Sequence, residues 1–144
     1  MNSLGPTIVV DASVAVKWLI PEPDSEIAER LCEGRNLIAP ELIEVECANI
    51  LWKHVRRGEI SRIDAFTGIQ DLRRSPLDLI RDSELLVEAQ GLANDFDHPI
   101  YDCLYLALAL RKGVSVVTAD ARFARLPLRF PMIAGSVVGI GDLR

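Results

Sequence analysis

Residues 7–11 read TIVVD, and residues 114–120 read VSVVTAD. Each is a short β-branched, apolar run that breaks off at or near an acid. Runs of this kind predict strands buried on both faces, because a half-exposed strand would alternate apolar with polar. Asp11 follows the first run directly, and Asp120 follows the second by two residues. In open α/β sheets, ligands bind beyond the carboxyl ends of the strands. If the two strands are parallel, both acids stand on the same edge of one sheet.

Outward from these runs the chain alternates strands with helices. A helix is expected from about Ser13 to Leu19, stopping before Pro21. Asp24 is a candidate N-cap for a second helix that ends at Gly34. Leu37 to Ala39 reads as a second strand. Pro40 suits the first position of a long helix, with Gly58 just past its end. Ser61 and Asp64 have the spacing of a capping box for a helix to about Arg74. Leu77 to Ile80 reads as a third strand. Asp82 is a candidate cap for a helix reaching Ala93 or Phe96. Pro99 opens another helix, closed by Gly113. A short helix is expected after Asp120, and a weak strand between Met132 and Val138. This alternation predicts an α/β domain with a central parallel sheet covered on both faces, as one domain over residues 1–144. Some helices between the second and fourth strands are candidates for an arm.

Composition narrows the classes. The 144 residues are 49% hydrophobic and 26% charged, which fits a folded domain and not a disordered chain. The longest apolar run, Cys103 to Leu110, is eight residues and cannot span a bilayer. No Lys or Arg precedes residue 17, so no secretory leader is expected and a cytoplasmic location is. Cys32, Cys47 and Cys103 include no CxxC pair and read as small buried residues. His54 and His98 lack Cys partners at metal spacing, which disfavours zinc. Sixteen basic residues against 21 acidic ones leave a net charge of −5, arguing against a non-specific nucleic-acid coat. An enzyme on nucleic acid stays open, since bound cations invert the field of an acidic site.

Two further acids are oddly placed. Glu46 lies in the helix ELIEVECANILWKHV, where Leu42, Ile43, Asn49 and Ile50 at helical spacing form an apolar stripe with a carboxylate and an amide set into it. Asp102 is the only charge between His98 and Arg111, near the start of the apolar helix PIYDCLYLALAL. Each of the four acids also has an ordinary reading. Asp11 and Asp120 suit helix caps, Asp102 suits the helix dipole, and Glu46 suits a boundary position reaching water. Convergence is the sharper reading. Clustered carboxylates repel, so a proton or a cation must join them. Oxygen ligands suit Mg²⁺ or Mn²⁺, and such an ion supports phosphodiester hydrolysis.

In order, VVDASVAVKW, APELIEVECANIL, HPIYDCLYLALA and VVTAD resemble PIN-domain proteins, and more closely the VapC toxins of bacterial toxin–antitoxin systems. The resemblance runs from about Ile8 to beyond Phe123. It implies a three-layer α/β/α sandwich and a metal-dependent endoribonuclease that leaves a 5′-phosphate and a 3′-hydroxyl. The acids it implies fall on Asp11, Glu46, Asp102 and Asp120. Asp11, Asp102 and Asp120 would hold Mg²⁺ or Mn²⁺. Glu46 would orient or deprotonate the attacking water, or complete the metal's surroundings. Ser13 and Thr118 match hydroxyl positions of the pattern, beside either a carboxylate or a helix end. Asn49 and Arg122 join them as residues near substrate or ligand. A cognate antitoxin and a homodimer are implied as partners, with RNA as substrate.

Three basic groups are available to RNA: Lys53, Arg56 and Arg57; Arg73 and Arg74; Arg122, Arg125 and Arg129. The first two also suit helix C-termini. The third follows a site acid closely and is the better phosphate candidate. Apolar excess around Trp18, Leu19 and Ile20, and around Leu51, Trp52 and Val55, points either to an interface or to buried tryptophans. A haloacid-dehalogenase phosphatase would need DxD where Asp11 is followed by Ala12 and Ser13. A receiver domain would need a paired acid before the first helix and a late Lys. A silent binding partner of the same fold would not need the complete acid quartet.

Overall fold

In a computed structural model, which describes residues 4–144, TIVV forms β1 (Thr7–Val10) and VVT forms β4 (Val116–Thr118). The two pair in parallel, Val9 opposite Val116 and Val10 opposite Val117. β2 (Asn36–Pro40) pairs with the other side of β1, and β3 (Leu77–Ile80) lies beyond β2. β5 (Val137–Gly139) pairs with β4, giving a parallel sheet of order β3-β2-β1-β4-β5. Ile8, Val9 and Val10 of β1 and Val116 and Val117 of β4 are fully buried, with a threonine at the start of β1 and at the end of β4.

Helices α1 (Ala12–Leu19) and α2 (Ser25–Leu31) link β1 to β2, and α3 (Leu42–Arg56) and α4 (Arg62–Arg74) link β2 to β3. The return to β4 runs through α5 (Asp82–Phe96) and α6 (Ile100–Lys112). Parallel crossovers are right-handed. The first two connections move toward one edge of the sheet and the third moves back across it. α1–α4 therefore cover one face and α5–α6 the other, which is the expected α/β/α sandwich. Short helices α7 (Ala121–Ala124) and α8 (Leu126–Arg129) lead toward β5. No helix of the described residues is long and apolar enough to cross a membrane.

Four local expectations are corrected. Pro40 ends β2, opposite Ile80, and does not open the helix. Its missing N–H is tolerated at the end of the ladder, where the next amide, Glu41, donates to Ile80 O instead. Asp24 stands before α2 but does not cap it. It adopts a left-handed backbone (φ 67°), and its carboxylate accepts from Arg144 Nε and Nη2 at 3.0 and 2.8 Å. A two-pronged guanidinium outcompetes the helix amides there. Asp82 is the first residue of α5, and its Oδ1 accepts from the Leu42 N–H of α3 (3.1 Å). Glu41 Oε1 in turn accepts from the Asp82 N–H (3.2 Å), so each helix start is capped by the other's acid. Finally, the tail strand begins only at Val137, because Pro131–Ile133 forms a 3-10 turn.

The Ser61–Asp64 capping box forms as expected, and α4 ends at Arg74. α3 and α4 pack together beside α1 around Val16, Ile20 and Leu51. At their contact Gly68 is required by space, since a Cβ there would meet Leu51 Cδ1 at 3.2 Å. Trp18 is half-buried and its indole N–H donates to Ala28 O (2.8 Å), so this tryptophan is structural. Trp52, Ile63 and Phe66 on α3 and α4 are 52%, 75% and 68% exposed.

Candidate active site

Parallel pairing of β1 with β4 puts Asp11 and Asp120 on the same sheet edge. Asp11 stands at the N-cap position of α1 but makes no side-chain cap bond, so the helix-cap reading fails there. Its Oδ2 instead accepts from Ser13 Oγ and Thr118 Oγ1, both at 2.7 Å. The Ala119 N–H donates to Ser13 Oγ (2.9 Å), and the Asp120 N–H donates to Thr118 Oγ1 (3.0 Å). These bonds lock the ends of β1 and β4 to each other and to the carboxylate. Burial pushes the Asp11 pKa up from 3.8 to about 6. The two hydroxyls oppose that rise, and repulsion from Asp102 adds to it.

Glu46 projects from α3 toward α6. Its Oε1 accepts a 2.6 Å hydrogen bond from the Tyr105 hydroxyl. Partial burial, together with Asp11 and Asp102, raises its pKa to about 7, against the lowering effect of Tyr105. Asp102 lies in the first turn of α6, where an acid also suits the helix dipole. Its Oδ2 accepts from His98 Nε2 at 2.7 Å. Burial raises its pKa, His98 restrains the rise, and Asp120 adds to it. Asp120 meets its ordinary reading too: Oδ1 caps α7 by accepting from the Phe123 N–H (3.0 Å).

All four acids line one open cleft of about 530 Å³, with Ser13, Asn49, Lys53 and Tyr101. Thr118 lies behind it, holding Asp11 from the buried side. Arg122 is outside the cleft lining, yet close enough to Asp102 to favour its ionised form. Among the basic groups, the structure singles out Lys53 on the cleft wall. Arg56 stacks over Trp52, Arg57 pairs with Glu59, Arg73 with Glu44 and Arg74 with Asp71. Arg125 lines an adjoining cavity that shares Asp120 with the cleft, and Arg129 lies over Phe130.

Two polar partners were not singled out from the sequence as part of the site. His98 sits four residues before Asp102, the spacing at which helical side chains meet. Tyr105, three residues after Asp102, is a fully buried tyrosine whose hydroxyl needs a partner.

The donor set fits a hard divalent cation. Every candidate donor is a carboxylate oxygen, as Mg²⁺ and Mn²⁺ prefer. Burial, with smaller repulsion from neighbouring carboxylates, raises the pKa values of Asp11, Glu46 and Asp102, which a bound cation would lower. Among the described residues no three His, Cys, Asp or Glu close into a complete ligand set. A cation that keeps several of its own waters does not require one.

The family model described as PIN domain matches residues 8–128. Ribonuclease VapC3 of Pyrobaculum aerophilum is 34% identical over 129 residues, covering 88% of this chain and 96% of the relative. Among solved structures, PAE2754 from Pyrobaculum aerophilum superposes with a TM-score of 0.69 at 20% identity, covering 95% of this chain and 85% of that one. A toxin–antitoxin complex from Klebsiella pneumoniae contains a chain that matches with a TM-score of 0.61 at 13% identity, covering 92% and 97%. At those identities the two structures speak to the fold alone.

Proposed function

The chain belongs to the PIN-domain family, and from that premise we propose that it is a VapC-type toxin endoribonuclease whose acid cleft hydrolyses RNA with a bound divalent cation. One observation carries the site assignment: carboxylates from the β1–α1 junction, α3, α6 and the β4–α7 turn line a single cleft at the carboxyl edge of the sheet. Mg²⁺ or Mn²⁺ would be held by Asp11, Asp102 and Asp120. When bound it supplies positive charge to the scissile phosphate and acidifies a water.

The chain's own groups do the rest. Ser13 and Thr118 hold Asp11 Oδ2, which fixes the carboxylate's orientation. His98 does the same for Asp102. Glu46 has one oxygen engaged by Tyr105, and its second makes no hydrogen bond among the described residues. That second oxygen orients the attacking water and accepts its proton. Lys53 on the cleft wall, Arg125 in the cavity that shares Asp120, and Arg122 within electrostatic reach of Asp102 would meet the flanking phosphates of the RNA. Asn49 lines the same wall as a hydrogen-bonding group for substrate.

A cognate antitoxin is the natural partner of such a toxin, and its inhibitory segment would place an Arg or Lys among the acids, where the cation otherwise sits. The exposed apolar face of α3 and α4 supports a homodimer. The protein would act in the cytoplasm, where its RNA substrate and antitoxin are made.

RNA cleavage by the purified protein with Mg²⁺ or Mn²⁺ tests the assignment. Asp11→Asn and Asp102→Asn should each abolish it while leaving cooperative melting intact. Glu46→Gln should lower the rate by about 10²–10⁴. Full activity in any of the three would sink the site.

A further inference from the structure

We propose that Tyr105 is a positioning residue for Glu46: its hydroxyl, donating to Oε1 at 2.6 Å, commits one oxygen of that carboxylate to α6 and leaves the other as the working atom. This rests on the cleft being the ribonuclease site. Three observations converge on it.

First, Tyr105 is fully buried within the apolar helix α6, and Glu46 is the one partner of its hydroxyl among the described residues. Phe would fill the same space without a polar atom to satisfy. Packing alone therefore does not call for the hydroxyl.

Second, Tyr105 lies three residues beyond Asp102, so the two share one side of α6. A single turn of that helix carries a cation-binding acid and the clamp for the acid on α3. The contact spans 59 residues of sequence and ties together helices from opposite faces of the sheet. The position of Glu46 relative to Asp102 thus depends on one side-chain bond, beyond the general packing of the two layers.

Third, Glu46 has three flexible side-chain torsions and sits among like charges that drive it away. Without a restraint the carboxylate would swing toward solvent, along the open side of the cleft. A short bond to a charged acceptor resists that swing. The hydroxyl is the donor in that bond, since an ionised carboxylate only accepts.

The test is a pair of substitutions combined. Tyr105→Phe should lower single-turnover cleavage at saturating RNA about tenfold, with KM changed less than twofold, because an interaction that serves only the reacting geometry moves kcat. In a Glu46→Gln background the same Tyr105→Phe change should cost less than twofold, since the group it positions is gone. Equal losses in both backgrounds, or no loss in the first, overturn the proposal. Wild-type activity in Glu46→Gln alone would instead overturn the site assignment beneath it.

Melting gives a readout free of activity. Glu46→Gln keeps an amide oxygen for the hydroxyl, whereas Glu46→Ala strands it. The Ala variant should melt below the Gln variant, and the gap should close in the Tyr105→Phe background. An equal gap with and without the hydroxyl overturns the proposal even if Tyr105→Phe is too unstable to assay.

Discussion

Asp11 concentrates the energetics of the site in one side chain. It is 5% exposed, with two hydroxyls donating to a single oxygen, and it still titrates near 6 when folded against 3.8 when free. The folded state therefore holds the Asp11 proton more tightly than the unfolded chain does. The associated stability is fully present below about pH 4 and is lost as pH rises through 6. In the metal-free protein this amounts to about 2–3 kcal/mol of strain at pH 8. Asp11→Asn keeps an oxygen for Ser13 and Thr118 and removes the charge. It should raise the melting temperature at pH 8 by about 5 °C, and the gain should shrink to a degree or so at pH 4. Melting curves of both proteins in chelator at the two pH values decide it. A gain that is the same at both would assign the effect to something other than the buried charge.

At the scale of elements, the helix starts divide into those readable locally and those that are not. Ser61 and Asp64 are three residues apart and bond each other's backbone, so the sequence alone announces that cap. Glu41 and Asp82 do the same work 41 residues apart, which is visible only once β2 and β3 lie side by side. Asp82→Ala should destabilise the protein by about 1 kcal/mol, as for an ordinary lost cap. Glu41→Ala should do likewise, and the double variant should cost less than the sum, because the two caps share one junction. Urea unfolding of the three variants measures this. Strict additivity would mean that the two bonds act independently.

At the scale of the molecule, the sheet edge gathers acids that are far apart in the chain, and a cation should stabilise what they strain. A cation that binds the assembled site and not the unfolded chain stabilises the fold, so Mn²⁺ should raise the melting temperature of the wild-type protein in a concentration-dependent way. The effect should be lost in the Asp11→Asn, Asp102→Asn double variant. It should also fade between pH 7 and pH 5, because the cation needs the carboxylates ionised and Asp11 and Glu46 are taking up protons there. An unchanged melt at millimolar Mn²⁺ would count against the cleft as a metal site. The opposite side of α3 and α4 makes a separate prediction. Trp52 and Phe66 border an apolar groove with Leu51, Val55 and Ile69. Phe66→Glu should convert the proposed homodimer to monomer in light scattering without lowering the melting temperature of the monomer. A wild-type monomer at high micromolar concentration would remove the dimer altogether.

Sequence by itself determined the parallel sheet and singled out the acids that the fold brings to one cleft. The valines and isoleucine of TIVV and VVT point to both faces, so only a sheet covered twice can bury them, and the acids that interrupt apolar stretches at Asp11, Glu46 and Asp102 are conspicuous because burial there is costly. Caps and breaks set by neighbours in the chain, at Ser61, Gly58 and Gly113, were legible for the same reason: their partners lie within one turn. What only the tertiary structure decided are the pairings across the fold. Asp24 turns from its helix to Arg144, Pro40 finishes a strand, Glu41 and Asp82 exchange caps, and Tyr105 reaches Glu46. Local spacing carries no trace of these contacts. A hydrogen bond goes to whichever donor the packing of the layers brings within 3 Å, and that neighbour is chosen by the burial of the whole core, not by the residues on either side.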